Sequence, residues 1–235
     1  MTTPLKTTPL SSPASRWTPS ARMAAAGTLL LAAAIPLVSH LAQPTLPELD
    51  AALRWSAEHP DLANWTKVLD LLAVPFLAGA ALVYVLLSRP AARRLATAGG
   101  LLLGCGLIGL AMVEGHEALL VTLAADDRTN LAALAAAGEQ TSPAAVVMLL
   151  LLIMGTLPGM LLLALALWRS TAIPRTVALL LPVPLLFDVV VTEGFATGPH
   201  WLSHVLALVV NCWIGWMVLS ARRTSTSAAA APAPA

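Results

Sequence analysis

Apolar stretches that are too long for a soluble core decide what this chain can fold into. About 20 apolar residues cross the roughly 30 Å of bilayer hydrocarbon as one helix. None of the stretches alternates apolar and polar residues as a membrane-barrel strand does. Six of them reach the required length, near residues 23–42, 70–88, 95–121, 144–168, 176–195 and 200–220. The sequence therefore predicts an all-α fold, a polytopic transmembrane bundle of six helices.

The composition supports a membrane protein whose first partner is the lipid bilayer. Of the 235 residues, 58% are hydrophobic and 11% are charged, whereas a soluble domain carries about 25% charged residues. The net charge of +1, without a basic stripe, argues against a nucleic-acid partner. Cys105 and Cys212 lie in apolar runs, which predicts buried thiols and not a disulfide framework.

The two ends of the chain differ from the apolar middle. Residues 1–21 are rich in Thr, Ser and Pro, and residues 223–235 read "RTSTSAAAAPAPA". Neither composition can form a packed core, so we predict two disordered tails around a transmembrane domain at residues 22–222. The first span resembles an uncleaved signal anchor, because no small-x-small cleavage site follows it.

Basic residues predict the orientation, since they concentrate in cytoplasmic loops. In a six-span arrangement, ten of the thirteen fall on one side: Lys6, Arg16, Arg22, Arg89, Arg93, Arg94, Arg169, Arg175, Arg222 and Arg223. The exceptions are Arg54, Lys67 and Arg128. We therefore expect both termini in the cytoplasm and the protein in the cell membrane. The twelve acidic residues and five histidines fall in the spans or toward the outer side, so any acid–base or metal chemistry should face outward.

The stretch "MVEGHEALL" places Glu114, His116 and Glu117 near the end of the third span. Glu114 follows Arg94 by twenty residues, about 30 Å of helix, which puts it near the outer interface. The three side chains fan around the helix end, so they do not form a metal pair on one face. Two interpretations stay open: a hydrated helix end, or part of a functional site.

Asp188 is predicted to lie deeper in the membrane. It follows Arg175 by thirteen residues, about 20 Å of helix, where a carboxylate costs roughly 2.5–3.5 kcal/mol. A turn near residues 196–198 would place Glu193 level with His204, and Asp188 near the level of Asn211. These contacts are either structural hydrogen bonds between helices or parts of a site.

"HWLSH" places His200 and His204 one helical turn apart, a spacing that suits zinc or the edge of a haem. This spacing also occurs often by chance. Seven-span ceramidase-like hydrolases likewise carry a His-x-x-x-His in their last span, but this chain has six predicted spans and does not match their other motifs.

Glycines four residues apart, at 100 and 104 and at 155 and 159, predict close helix packing and permit a helix-mediated oligomer. Prolines fall within five of the six predicted spans. Broken helices of this kind can line a cavity in transporters, although proline is also common in ordinary membrane helices.

With its spans laid out, the chain resembles a broad set of uncharacterised six-span membrane proteins of high-GC bacteria. The resemblance rests on "NWTKVLDLLAVPFLAGAALVYVLLS", "ARRLATAGGLLLGCGLIGLA" and "LLLALALWRSTAIPRTVALLL", about two-thirds of the chain. It implies a six-helix bundle in the cell membrane and brings no activity or site residues. "EGHEALL" and "HWLSHVLALVVN" are not characteristic of that set.

These features favour a non-enzymatic multi-pass protein of the cell membrane, a small transporter or an accessory or sensory component. Its outward-facing polar cluster would act on an unidentified small molecule, and no cofactor is predicted. One alternative is a membrane-embedded metal-dependent hydrolase that uses His200, His204 and an acid. A further alternative is haem-linked electron transfer.

Overall fold

The computed structural model of the chain describes residues 14, 17–44, 46, 48–126, 128–138, 142–170, 172–188 and 201–221. Within these ranges all regular secondary structure is helical. The helices are α1 (Pro19–Ala42), α2 (Leu49–Glu58), α3 (Pro60–Ala124), α4 (Leu131–Gly138), α5 (Pro143–Ser170), α6 (Arg175–Leu180), α7 (Val183–Phe187) and α8 (Trp201–Ser220). Helix α1 begins inside the predicted tail 1–21, where the Thr18 hydroxyl accepts a hydrogen bond from the amide of Ala21.

Four helices in the described ranges, α1, α3, α5 and α8, are long and apolar enough to cross a membrane, not the predicted six. Two predicted spans, 70–88 and 95–121, lie in the single helix α3. A third, 176–195, begins in the short helices α6 and α7 and continues outside the described residues. The predicted spans and the long helices therefore do not correspond one to one, because apolar length alone does not show where a helix continues or breaks.

Helix α3 is a hairpin of two arms, residues 60–91 and 93–124. Its 65 residues would extend about 98 Å if straight, three times the hydrocarbon thickness. Ala92 has φ −139° and ψ 52°, outside the helical region, two residues after Pro90, which lacks an amide donor. A Cβ on Gly100 would lie 2.6 Å from Cγ2 of Val85, so the arms pack against each other in antiparallel orientation.

Glycines allow the second arm of α3 to approach α5 closely. A Cβ on Gly159 would lie 2.5 Å from the backbone nitrogen of Leu103, and one on Gly109 would lie 2.5 Å from that of Leu152. The prediction was therefore right for the glycines of α5. It was wrong for Gly104, where an added Cβ would meet no atom within 4 Å. Gly106, whose backbone lies directly against Gly155 of α5, takes the place that the sequence spacing gave to Gly104.

The outside of the bundle is apolar, as lipid contact requires. Leu29, Leu163 and Ile214 are fully buried, while Leu101 is 69% exposed and Trp216 is 66% exposed. Large apolar surfaces of this kind are rare on soluble monomers. Cys105 and Cys212 are also exposed, each as a free thiol, so the prediction that they are buried was wrong. Together with the four long apolar helices, this surface indicates a membrane protein.

Two short helices cover the open end of the α3 hairpin, opposite the turn at Ala92. Leu53 of α2 and Ala135 of α4 are buried against Leu120 and Ala124 of the second arm. Helix α1 joins the same end, since the Ser39 hydroxyl donates to the backbone carbonyl of Thr66 at 3.2 Å. The open end therefore brings together parts of α1, α2, α3 and α4.

Candidate functional site

Lys67 lies at the centre of a group of three carboxylates at the open end of the hairpin. Its ammonium nitrogen is 2.5 Å from a carboxylate oxygen of Glu117 and 3.3 Å from one of Glu114. The carboxylate of Asp70, one turn along the same arm, is 3.4 Å away. We call Lys67, Asp70, Glu114 and Glu117 the carboxylate cluster. It ties the two arms of α3 together by ion pairs.

The turn at Ala92 determines which residues meet in the cluster. Lys67 and Glu117 are 50 residues apart and lie equally far from Ala92, so the hairpin brings them level. Residues three apart share a helix face, which adds Asp70 on one arm and Glu114 on the other. Both predicted glutamates therefore enter one ion-paired cluster, whereas the predicted His116 is exposed and lies outside it.

The cluster is mostly shielded from solvent but opens on one side. The side chains of Asp70, Lys67 and Glu114 are 5%, 13% and 17% exposed, whereas that of Glu117 is 47% exposed. Removing charges from water is costly unless they are paired, and here one ammonium faces three carboxylates. Negative charge exceeds positive charge when all four groups are ionised. The open side at Glu117 can therefore attract a cation.

A cavity of about 270 Å³ adjoins this open side. Lys67 and Glu117 form part of its wall, and Glu48 adds a further carboxylate. Much of the remaining wall is apolar: Leu49, Ala52, Leu53, Trp55, Leu120 and Val121. The indole of Trp55 also stacks on the ring of His59, with 5.3 Å between centroids. We call this the α2 cavity. Its mixed wall is typical of a site for a small molecule that carries a charge on an apolar body.

Lys67 was not among the site residues predicted from the sequence. The signal that could have identified it was its place among the three basic residues that break the orientation pattern. Lys67 lies on the predicted acidic side, three residues before Asp70. Its ion pairs in the carboxylate cluster explain why a lysine occurs there. Finding its partners on the other arm required the hairpin.

A second polar group lies where α1, α7 and α8 meet. The imidazole rings of His40 and His204 are 4.0 Å apart between centroids and tilted by 42°. Nδ1 of His40 donates to the backbone carbonyl of Pro36 at 2.9 Å. The Ser203 hydroxyl donates to a carboxylate oxygen of Asp188 at 3.0 Å. Helices α7 and α8 are therefore neighbours. His204 contacts His40, which was not predicted as its partner.

The structure does not bring Asp188 and Asn211 together as predicted. Asp188 is level with Ser203, which precedes Asn211 by eight residues, about 12 Å of helix. Asn211 is buried and accepts a hydrogen bond from the Tyr84 hydroxyl of the first α3 arm. The predicted levels assumed a turn near residues 196–198, and the segment 189–200 that joins Asp188 to α8 lies outside the described residues.

The predicted metal residues are only partly described. Glu193 and His200 lie outside the described residues, so their predicted contacts with His204 stay predictions. Within the described residues, no group of three or more His, Cys, Asp or Glu side chains is arranged to hold a metal ion.

No protein-family model, no curated protein and no solved structure matches this chain. The resemblance to six-span membrane proteins of high-GC bacteria stays a prediction.

Proposed function

We propose that the chain is a multi-pass protein of the cell membrane that binds a small organic cation in the α2 cavity, most simply as a small transporter. The observation that carries this proposal is the position of the carboxylate cluster in the wall of the cavity. An accessory or sensory component with the same ligand is the second candidate.

Charge and shape together support a cation as the ligand. Lys67 balances one of the three carboxylates in its cluster, and Glu48 adds another along the cavity wall. Trp55 offers an aromatic surface, which attracts organic cations, above all quaternary ammonium groups. Leu49 and Leu53 can contact the apolar part of such a molecule. An anionic ligand would meet excess negative charge at the same place.

Six crossings fit this proposal. Each arm of α3 is long enough to cross the bilayer by itself, so α3 would cross twice and the α6–α7 segment would begin another crossing. The arginines at the turn of the hairpin then lie in the cytoplasm by the positive-inside rule. The α2 cavity opens to the outside, and both termini are cytoplasmic.

Three matched probes test the ligand class: benzyltrimethylammonium, uncharged 2-phenylethanol and anionic phenylacetate. A ligand that binds only the folded state raises the melting temperature. We expect benzyltrimethylammonium alone to do so, with the effect weakened roughly fivefold in ligand concentration by Glu117→Gln. Trp55→Leu should weaken it as well. Equal stabilisation by 2-phenylethanol, or none by benzyltrimethylammonium, would contradict the cation site.

Uptake into proteoliposomes separates the two candidate roles. The fixed charge of benzyltrimethylammonium prevents it from crossing a bilayer unaided. A transporter should carry it inside faster than empty liposomes do, and Glu117→Gln should reduce that uptake. Binding without uptake would favour the accessory or sensory role.

A further inference from the structure

Three arginines gather at the turn of the α3 hairpin. The break at Ala92 places Arg89 at the end of the first arm and Arg93 and Arg94 at the start of the second. All three side chains are exposed, and they line one open groove of about 570 Å³. This end lies about 37 Å of helix from the carboxylate cluster.

The groove continues from the arginines along an apolar face of the second arm. Arg94, Thr97, Ala98 and Leu101 line it at the spacing that keeps side chains on one helix face. Thr97, Ala98 and Leu101 are exposed, so this face points away from the bundle. The same groove therefore offers positive charge at the turn and an apolar wall beyond it.

In the described part of the chain, no carboxylate pairs with these arginines. No Asp or Glu occurs between Asp70 and Glu114, nor between Glu139 and Asp188. Every ion pair between described residues involves Arg54 or Lys67, and none involves the three arginines of the turn. The groove can therefore accept an anion from outside the chain.

We propose that this groove binds an anionic phospholipid, with its phosphate at Arg89, Arg93 and Arg94 and an acyl chain along Ala98 and Leu101. Guanidinium groups hold phosphate oxygens through paired hydrogen bonds. Basic groups beside a membrane surface attract anionic headgroups. A lipid fits better than free phosphate because the groove runs from charge to an exposed apolar face in one direction. This site is independent of the ligand in the α2 cavity.

Native mass spectrometry of the full chain in detergent measures the bound lipid directly. Phosphatidylglycerol and phosphatidylcholine with identical acyl chains are added in turn. We expect phosphatidylglycerol to be retained and phosphatidylcholine to be lost. Each arginine should contribute roughly fivefold to lipid affinity, so Arg93→Gln/Arg94→Gln should reduce the retention of phosphatidylglycerol at least tenfold. The matched control, Arg54→Gln/Arg128→Gln, also removes two charges and should retain the lipid as the wild type does.

Two further arms distinguish a lipid site from simple charge attraction. Ala98→Trp keeps every charge but fills the groove, so it should also displace phosphatidylglycerol while leaving the melting temperature in lipid-free detergent unchanged. Inorganic phosphate should fail to compete at millimolar concentration. Lipid retention by Ala98→Trp, displacement by phosphate, or equal loss in the Arg54/Arg128 control would overturn the proposal. The Glu117→Gln variant should still retain phosphatidylglycerol. The lipid site can therefore be confirmed even if the proposed cation site is not.

Discussion

At the open end of the α3 hairpin four charged side chains contact one another, whereas at its turn three arginines have no carboxylate beside them in the described chain. Both groups belong to one helix and lie about 37 Å apart along each arm. At the open end the charges are mostly shielded, and at the turn they are exposed. Charges removed from water need partners within the protein, while charges at an interface can use water or lipid headgroups.

This difference gives the two ends different roles. The carboxylate cluster joins the two arms and leaves Glu117 half exposed toward the α2 cavity, where we propose that it contacts the ligand. The arginines at the turn are exposed, so we expect them to contribute little to the stability of the fold and to contact the membrane surface. The strongest test is whether the two ends lie on opposite sides of the membrane.

The largest expected effect is in labelling from one side of the membrane, because a cysteine on the far side should not react with an impermeant reagent at all. In a background without Cys105 and Cys212, Glu58→Cys on α2 and Ala91→Cys at the turn place thiols at exposed positions. An impermeant maleimide added to intact cells should label Glu58→Cys and leave Ala91→Cys unlabelled until the cells are lysed. Labelling of both variants in intact cells would contradict the proposed orientation.

Loss of the lysine in the carboxylate cluster should give the largest change in stability. Lys67→Met leaves three neighbouring carboxylates without their cation, two of which are mostly buried. Breaking a buried ion pair costs on the order of 3 kcal/mol, which lowers the melting temperature by roughly 6–12 °C at this chain length.

The control for this change is the exposed pair of Arg54 and Asp50, whose nearest atoms are 2.7 Å apart. Arg54→Met removes a salt bridge that water already screens, so the free energy of unfolding should change by less than about 0.5 kcal/mol. Thermal melting in detergent measures both variants. Equal falls in melting temperature for Lys67→Met and Arg54→Met would show that shielding from solvent does not make the ion pairs of the carboxylate cluster more stabilising than an exposed pair.

A smaller change in stability is expected from loss of the hydrogen bond between Tyr84 and Asn211, which lies between the two ends of the hairpin. Tyr84→Phe removes the hydroxyl that donates to buried Asn211, and an unsatisfied buried acceptor costs about 1 kcal/mol. The melting temperature should fall by roughly 2–4 °C. Tyr84→Phe/Asn211→Leu replaces both partners and should recover most of that loss. No recovery in the double variant would mean that Asn211 has another essential contact.

The smallest change in stability is expected at the turn. Arg93→Gln/Arg94→Gln removes two exposed charges that have no ion-pair partner among the described residues. In zwitterionic detergent free of phospholipid, the free energy of unfolding should change by less than about 0.5 kcal/mol. A loss as large as that of Lys67→Met would show that the arginines support the fold directly, and the contrast between the ends would fail.

Much of the helical architecture follows from the sequence alone. Spans predicted at 23–42, 144–168 and 200–220 lie in α1, α5 and α8 with ends that differ by a few residues. The length of an apolar run can be read directly from the sequence. Because backbone polar groups cannot stay unpaired in hydrocarbon, a single segment that crosses the bilayer outside a closed barrel must form a helix. The sequence also predicts which loops face the cytoplasm, from where basic residues fall between apolar runs, and that orientation stays a prediction.

Only the tertiary structure decided which distant residues meet. Lys67 reaches Glu114 and Glu117 because α3 reverses at Ala92, and small shifts in that turn would change the level at which the arms match. Asp188 contacts Ser203 and not the predicted Asn211, because the rise within one helix does not determine which residue of the next helix lies beside it. Residue types and local periods specify helices, whereas the register between helices depends on breaks and packing that no single segment encodes.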